Sequence, residues 1–326
     1  MVPTRIEIDR ILCPVDFSDF SRHALERAVR LGGWFRARVE VLHVVPFVLP
    51  TTGLPYFPVS VAPSSSLREQ AARDLEAFVA PHFDAGVPIE AKLLEGDPWR
   101  AIRDEAEGWS ADLLVMGTHG RGGFEHLILG SVTEKVMRRA PCPVMTVGRV
   151  APLTPGGPLF RRIVCAADLS PASERTLETA VSLAGECDAQ VTHLHVLESI
   201  PFAVGGGLES AIPDPAELRR VLVERVEGDL RKAVPPLVRE FCEVKERVEV
   251  GSAWRQILCV ADEVGADLIV MGEHAHGGVG RLVFGSTASH VVRQATCPVL
   301  VVRERRSPVG ADAAVEAGVA SVRGRR

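Results

Sequence analysis

Short apolar runs recur along the chain, separated by longer stretches in which apolar positions fall at helical spacing. In the first half the runs are Ile11–Val15, Val39–Val45, Ile89–Leu94, Leu113–Met116 and Val144–Val147. They are rich in Val and Leu and lack polar alternation, the pattern of strands buried on both faces of a parallel sheet. Between them, Ser21–Leu31, Leu67–Phe83, Trp99–Glu107 and Ser131–Arg139 carry the helical spacing. In the second of these, Leu67, Ala71, Leu75, Phe78 and Val79 form one apolar stripe. The alternation predicts an α/β fold with a right-handed, doubly wound sheet that takes ligands at the carboxyl ends of its strands.

The pattern then repeats. Arg10-Ile-Leu-Cys-Pro-Val-Asp16-Phe-Ser18 returns as Arg162-Ile-Val-Cys-Ala-Ala-Asp168-Leu-Ser170, 152 residues on, and Leu42-His43-Val44 returns at the same offset as Leu194-His195-Val196. Asp112-Leu-Leu-Val-Met-Gly117 returns as Asp267-Leu-Ile-Val-Met-Gly272, now 155 residues on. Gly130-Ser131 and Cys142-Pro143-Val144 follow at that offset as Gly285-Ser286 and Cys297-Pro298-Val299. Chance does not produce so many matches in register, so the chain is a tandem duplication. The expected units are residues 1–150 and 160–303, joined by the Pro- and Gly-rich segment Gly148–Arg161 as a semi-extended linker, with 304–326 as a disordered tail. Each unit ends in an apolar strand, Val144–Val147 or Val299–Val302, whose open edge needs cover.

Composition narrows the classes. With 326 residues, 46% apolar and 24% charged, each half can bury a core. A net charge of −5 gives no basic field to draw nucleic acid or an acidic membrane. The arginines near the end (Arg303, Arg305, Arg306, Arg323, Arg325, Arg326) have no aromatic residues among them and read as a solvated tail. Seven cysteines without a CxxC pair suggest reduced thiols and a cytoplasmic setting, with neither disulfide framework nor zinc site. Met1–Arg10 has no apolar signal core and no window suits a membrane span, so a soluble protein is expected.

The chemistry concentrates after the fourth strand. Two residues separate Gly117 from Gly120, and nine separate Gly120 from Gly130-Ser131. Glycines at a strand's carboxyl end let backbone amides approach a phosphate, and a helix opening at Ser131 offers free amides and a favourable dipole. Neither GxxxxGK[ST] nor GxGxxG is present. A methyl at Gly117 or Gly130 is expected to point at the phosphates. Other readings stand beside these. Ser131 with Glu134 forms S-x-x-E and can cap its helix while serving a ligand. Gly117 and Gly120 can be plain turn glycines. Asp16 can cap the first helix, although Ser18, like Ser170 before Pro171 in the second copy, is available for that and leaves Asp16 and Asp168 for a ligand. His43 and His195 read as hydrogen-bonded core residues, His193 and His195 lack a third zinc ligand, and Trp99 and Trp254 read as packing. The long connections Pro46–Ser66 and Ile200–Pro215 can be flaps over the ligand edge or plain insertions.

The G-2x-G-9x-G-[ST] spacing, the Asp ending the first strand, the Leu-His-Val second strand and the Cys-Pro-Val entry to the fifth together resemble the universal stress proteins. The resemblance covers both copies. It implies two Rossmann-like domains of the adenine nucleotide alpha hydrolase type, each with a five-stranded, mainly parallel sheet. It further implies ATP as ligand, with Mg²⁺ arriving on the nucleotide. Pro14, Val15 and Asp16 would then face the adenine and ribose, with the Val44 backbone at the adenine. Met116 and Gly117 would sit against ribose and phosphates, and Gly120, Gly130, Ser131 and Val132 would hold the phosphates. In the second copy the corresponding positions are Ala167, Asp168, Val196, Met271, Gly272, Gly285, Ser286 and Thr287. The family's last strands pair across a dimer axis, so the copies should form an intramolecular pseudo-dimer, with further homodimerisation open. The second site is expected to be weaker: Ala275 replaces Gly120, His276 replaces Arg121, Glu273 adds a negative charge in place of Thr118, and Ala166-Ala167 replaces Pro14-Val15. If Gly120 is left-handed, Ala275 is strained there. A nucleotide-dependent regulator, a slow ATPase and a scaffold with a degenerate second site are the competing functions.

Overall fold

The computed structural model describes residues 6–47, 64–120, 129–148, 157–198, 215–273 and 285–303. In the first copy these form β1 (Arg10–Pro14), α1 (Asp19–Phe35), β2 (Arg38–Val45), α2 (Ser65–Val79), β3 (Ile89–Glu95), α3 (Pro98–Gly108), β4 (Leu113–Gly117), α4 (Ser131–Met137) and β5 (Val144–Val147). The second copy repeats the order as β6 (Arg162–Ala166), α5 (Pro171–Cys187), β7 (Gln190–Leu197), α6 (Pro215–Ala233), β8 (Val244–Val250), α7 (Ala253–Val264), β9 (Leu268–Gly272), α8 (Ser286–Gln294) and β10 (Val299–Val302). Local signals explain the boundaries. Ser18 caps α1 by accepting from Ser21 N, Ser64 caps α2 by accepting from Leu67 N, and prolines open α3 and α5, where a missing N–H costs nothing.

The strands form one ten-stranded sheet, ordered β3-β2-β1-β4-β5-β10-β9-β6-β7-β8. Pairing is parallel within each copy. The join between β5 and β10 is antiparallel, with Leu300 opposite Met145 and Val301 opposite Val144. Each copy thus covers the other's open edge, and the two expected sheets fuse into one. Two cores flank it, and each runs through both copies. One gathers apolar side chains of α1, α2 and α5, the other those of α3, α4, α7 and α8.

The join extends beyond the strands. Ile6 N donates to Ser182 Oγ of α5 at 3.0 Å, and the Arg27 guanidinium of α1 lies 5.7 Å from the fully buried Phe160 ring. Arg30 donates to the Gly157 and Pro158 carbonyls. The described end of the linker is therefore docked into the core, not strung between the units as a spacer.

Two sequence expectations need correction. β3 is only partly buried, because it pairs with β2 alone and forms a sheet edge; its Glu90, Lys92 and Glu95 discourage further pairing. The α2 stripe divides: Leu75, Phe78 and Val79 enter the core, whereas Leu67 is 43% exposed. The long connections after β2 and β7 lie mostly outside the described residues, as does the tail from 304.

Candidate functional site

The sheet order reverses between β1 and β4, so the connections leaving these two neighbouring strands diverge and open a crevice at their carboxyl ends. A cavity of about 730 Å³ lies there. All ten first-copy positions singled out in the sequence line it: Pro14, Val15 and Asp16 after β1, Val44 on β2, Met116 and Gly117 on β4, then Gly120, Gly130, Ser131 and Val132. The lining also includes residues that spacing did not flag, among them Phe17, Leu67, Gln70, Asp74 and His119.

Asp16 organises the β1 end. Its Oδ1 accepts from Ser18 N at 3.1 Å and Ser18 Oγ at 2.6 Å, while Ser18 caps α1. Phe17 between them has φ 65°, and Leu169 in the second copy has φ 60°. A bulky residue in the left-handed region is rare, and its recurrence at both strand ends shows how tightly the turn is determined. The Phe17 ring lies 4.3 Å from the His43 ring and 5.5 Å from Phe78. His43 Nδ1 lies 2.8 Å from the Val15 carbonyl and His195 Nδ1 lies 2.8 Å from that of Ala167. A carbonyl only accepts, so Nδ1 carries the proton in both. These histidines are hydrogen-bonded as the sequence suggested, but both are half-buried and not in the core, and His43 lines the cavity.

The glycines act differently from expectation. Gly120 is absent from the left-handed residues; an ideal Cβ there would stand 2.5 Å from Asp16 Oδ2. A Cβ on Gly117 would meet the Phe20 backbone of α1 at 3.0 Å, so a methyl would press on the helix and not on a ligand. At Gly130 it would meet the Thr118 carbonyl at 3.2 Å. Thr133 Oγ1 donates to the Gly117 carbonyl and Gly130 N to that of Thr118, each at 2.9 Å, pinning the start of α4 to the glycine turn.

The capping box at Ser131 does not form. Gly130 is the N-cap, its carbonyl accepting from Glu134 N at 2.9 Å, so Ser131 is already helical and cannot reach back. Glu134 instead pairs with Arg138 at 2.9 Å. Among the described residues no side-chain oxygen caps α4, and Gly130 to Thr133 at its start line the cavity.

The second copy places its candidates equivalently but wires them otherwise. Ala167 and Asp168 follow β6, Val196 lies on β7, Met271 and Gly272 end β9, Gly285 caps α8, and Ser286 and Thr287 form its first turn. Asp168 Oδ1 accepts from Ser170 N, Ser170 Oγ and Ser173 Oγ. The first-copy counterpart of Ser173, Ser21, donates instead to the Ser18 carbonyl at 2.9 Å. Asp168 is thus drawn toward α5. Glu273 does not load the ligand loop with charge: it is buried and paired with Arg303 at 2.9 Å, and Arg303 Nη1 donates to the Ala140 carbonyl of the first copy at 2.9 Å. Ala275 and His276 lie outside the described residues.

Elsewhere, burial pushes His193 down to about 4, so the imidazole is neutral. Among the described residues no cluster of three or more His, Cys, Asp or Glu could hold a metal ion, and no helix is long and apolar enough to cross a membrane. All seven cysteines are free, and burial pushes the Cys13 and Cys165 thiols upward.

Fold and crevice together define a tandem, doubly wound α/β protein with a glycine-and-helix cradle at its first switch point. The sequence profile of the Universal stress protein family matches residues 7–148 and 159–303, and the chain belongs to that family, with its domain present twice. A universal stress protein of Methanocaldococcus jannaschii is 38% identical over 138 residues, covering 42% of this chain and 81% of that protein. One of Mycolicibacterium smegmatis is 27% identical over 302 residues, 90% of this chain and 97% of its own length, so it shares the tandem arrangement. The crystal structure of a universal stress protein from Archaeoglobus fulgidus superposes with a TM-score of 0.64 at 24% identity, covering 92% of this chain and all of that one, and shows the same fold.

Proposed function

We propose that this chain is an ATP-binding regulatory protein of the stress response, working in the reducing cytoplasm, with its nucleotide in the first-copy cavity. The observation that supports this most is convergence: the ten positions that the family resemblance implies, from four separate segments, line one cavity with the start of α4 at one end. Backbone amides at that start suit phosphate oxygens. Mg²⁺ would come with the nucleotide, since the two carboxylates of the described lining, Asp16 and Asp74, belong to no cluster of described residues that could hold a metal ion. The sequence has no GxxxxGK[ST] lysine, and Arg121 beside Gly120 lies outside the described residues; slow hydrolysis at most is expected.

One observation favours scaffolding for the second copy: Asp168 is tied back to α5, and the buried Glu273–Arg303 pair is directed at the join between copies. Native mass spectrometry of the full chain with MgATP decides. One nucleotide per chain at low concentration is expected, the second appearing at least about tenfold higher. A chain that takes up no nucleotide overturns the proposal, and two equal sites overturn the asymmetry. Steady-state phosphate release near the buffer rate is the expected kinetic result.

A further inference from the structure

Beneath the cavity lies a charge cluster that the site does not use. Leu42 and Val44 of β2 meet Ile102 of α3 in one core, and all three line the cavity. Two residues back on the same face of β2 stands Glu40, and one turn beyond Ile102 on α3 stands Glu105. Glu40 is 2% exposed and Glu105 13%. One ammonium serves both. Lys92 Nζ of β3 lies 2.8 Å from Glu105 Oε1 and 3.8 Å from Glu40 Oε2. Glu40 Oε1 is buried and meets no hydrogen-bond donor.

Such a cluster holds two full negative charges badly. A buried carboxylate oxygen without a donor costs free energy, and an ammonium engaged by Glu105 leaves Glu40 poorly compensated. A proton on Glu40 removes both defects: its O–H donates to Glu105, and one carboxylate then faces one ammonium. Burial first, then Glu105, push the Glu40 carboxyl up to about 7, with Lys92 opposing and Glu90 adding. The other charges on the packed elements are engaged or exposed. Arg100 and Arg103 of α3 pair with Asp97 and Asp104, Arg10 of β1 donates to the Trp109 carbonyl, and Glu90 and Glu107 are exposed.

Resting on the nucleotide reading above, we propose that Glu40, Glu105 and Lys92 form a proton switch under the first-copy cavity, so that the anionic ligand binds with proton uptake at Glu40. With Glu40 charged, repulsion drives Glu105 toward solvent and α3 away from β2, which parts Ile102 from Leu42 and loosens the cavity floor. With Glu40 protonated, strand and helix are tied and the floor is complete. A bound anion adds a field of the same sign. Both effects favour the protonated form in the complex, so by linkage the ligand binds more tightly as pH falls through 7.

The second copy lacks every part of the switch. Thr192 stands at the place of Glu40 and Val260 at that of Glu105. Arg247, at the place of Lys92, pairs with Glu249 and Glu263 at 2.8 and 2.7 Å.

The test is calorimetric titration of the full chain with MgATP from about pH 5.5 to 8.5, in two buffers of different ionisation enthalpy, which counts protons. Wild-type affinity should fall about fivefold across that range, the lower end of couplings between sites, with proton uptake centred near pH 7. Glu40→Gln keeps an N–H for Glu105 and stays neutral, so it should lose this uptake and hold the acid-limit affinity throughout. Protons carried by the nucleotide or by His43 are common to both proteins and cancel in the comparison. Glu105→Gln should move the midpoint to lower pH and Lys92→Met to higher pH, opposite shifts that a packing role would not produce. A pH-independent wild type, or the same pH dependence in Glu40→Gln, overturns the switch and leaves nucleotide binding intact. A wild type that binds no nucleotide at any pH overturns the functional reading and this inference with it.

Discussion

The Asp16 carboxylate fills the space that a side chain at position 120 would need, its Oδ2 standing 2.5 Å from an ideal Cβ on Gly120. The glycine accommodates this close approach and does not serve a left-handed backbone. The atom met is the far end of a flexible side chain, so Gly120→Ala should cost about 1 kcal/mol at most and turn the Asp16 carboxylate aside. Asp16→Ala should relieve most of that cost in the double variant. A double-mutant cycle from urea melts measures the coupling; strict additivity would show that the two residues do not press on each other.

Gly117→Ala acts elsewhere. Its methyl meets the Phe20 backbone, and a backbone neighbour cannot swing aside, so α1 must shift. The expected loss is about 2 kcal/mol of stability, seen in a melt without ligand. A variant as stable as the wild type would contradict the placement of α1 against β4.

Two buried groups should bend the stability curve in opposite senses. Burial, against the favourable field of Glu246 and with the opposing charges of His195 and Arg239, lowers His193 from 6.5 to about 4. The unfolded chain then takes the proton first, so stability is full above about pH 6.5 and is lost as pH falls through 4, by up to about 1.4 kcal/mol per unit. Burial, with help from Glu105 and against Lys92, raises Glu40 from 4.5 to about 7. Here the folded chain holds the proton, so stability is full below about pH 4.5 and is lost as pH rises through 7. Urea midpoints from pH 4 to 8 should flatten at the acid end in His193→Val and at the neutral end in Glu40→Gln.

Arg303 and Glu273 stand where the first copy has Gly148 and Thr118. Arg303→Met strands a buried carboxylate and should cost about 3 kcal/mol, whereas Glu273→Thr with Arg303→Gly should come close to neutral. Thermal melts of both variants separate a paired charge from a mere packing residue: equal losses would argue against pairing.

Cutting the chain after residue 150 exposes β5 along its outer edge and removes the Ser182 hydroxyl that Ile6 N donates to. The isolated first half should dimerise through β5. A monomer by sedimentation at high concentration would rule this out.

How far the sequence reached depended on how local the cause was. β1, β2, β4 and β5 were legible because a strand covered on both faces must be apolar throughout, and the cradle was legible because glycine spacing and a helix start are local. The position of β3 at an edge was not, since a run such as Ile89–Leu94 looks alike with one neighbour or two. The α2 stripe was misread in its upper turns because leucine facing a cavity and leucine facing a core share one spacing. The reason for Gly117 was hidden, since it lies in α1. The Glu273–Arg303 pair left a trace: both members replace small or neutral residues at matched repeat positions, a joint change that only neighbouring strands β9 and β10 explain.

The antiparallel seam between β5 and β10 reverses the second copy relative to the first. The carboxyl ends of β1 to β5 therefore emerge along one rim of the sheet, and those of β6 to β10 along the other. One ligand cannot bridge both sets of strand ends, and a small partner resting over one rim leaves the opposite rim bare. The chain is a two-headed plate, able to present a different surface to each side at the same moment.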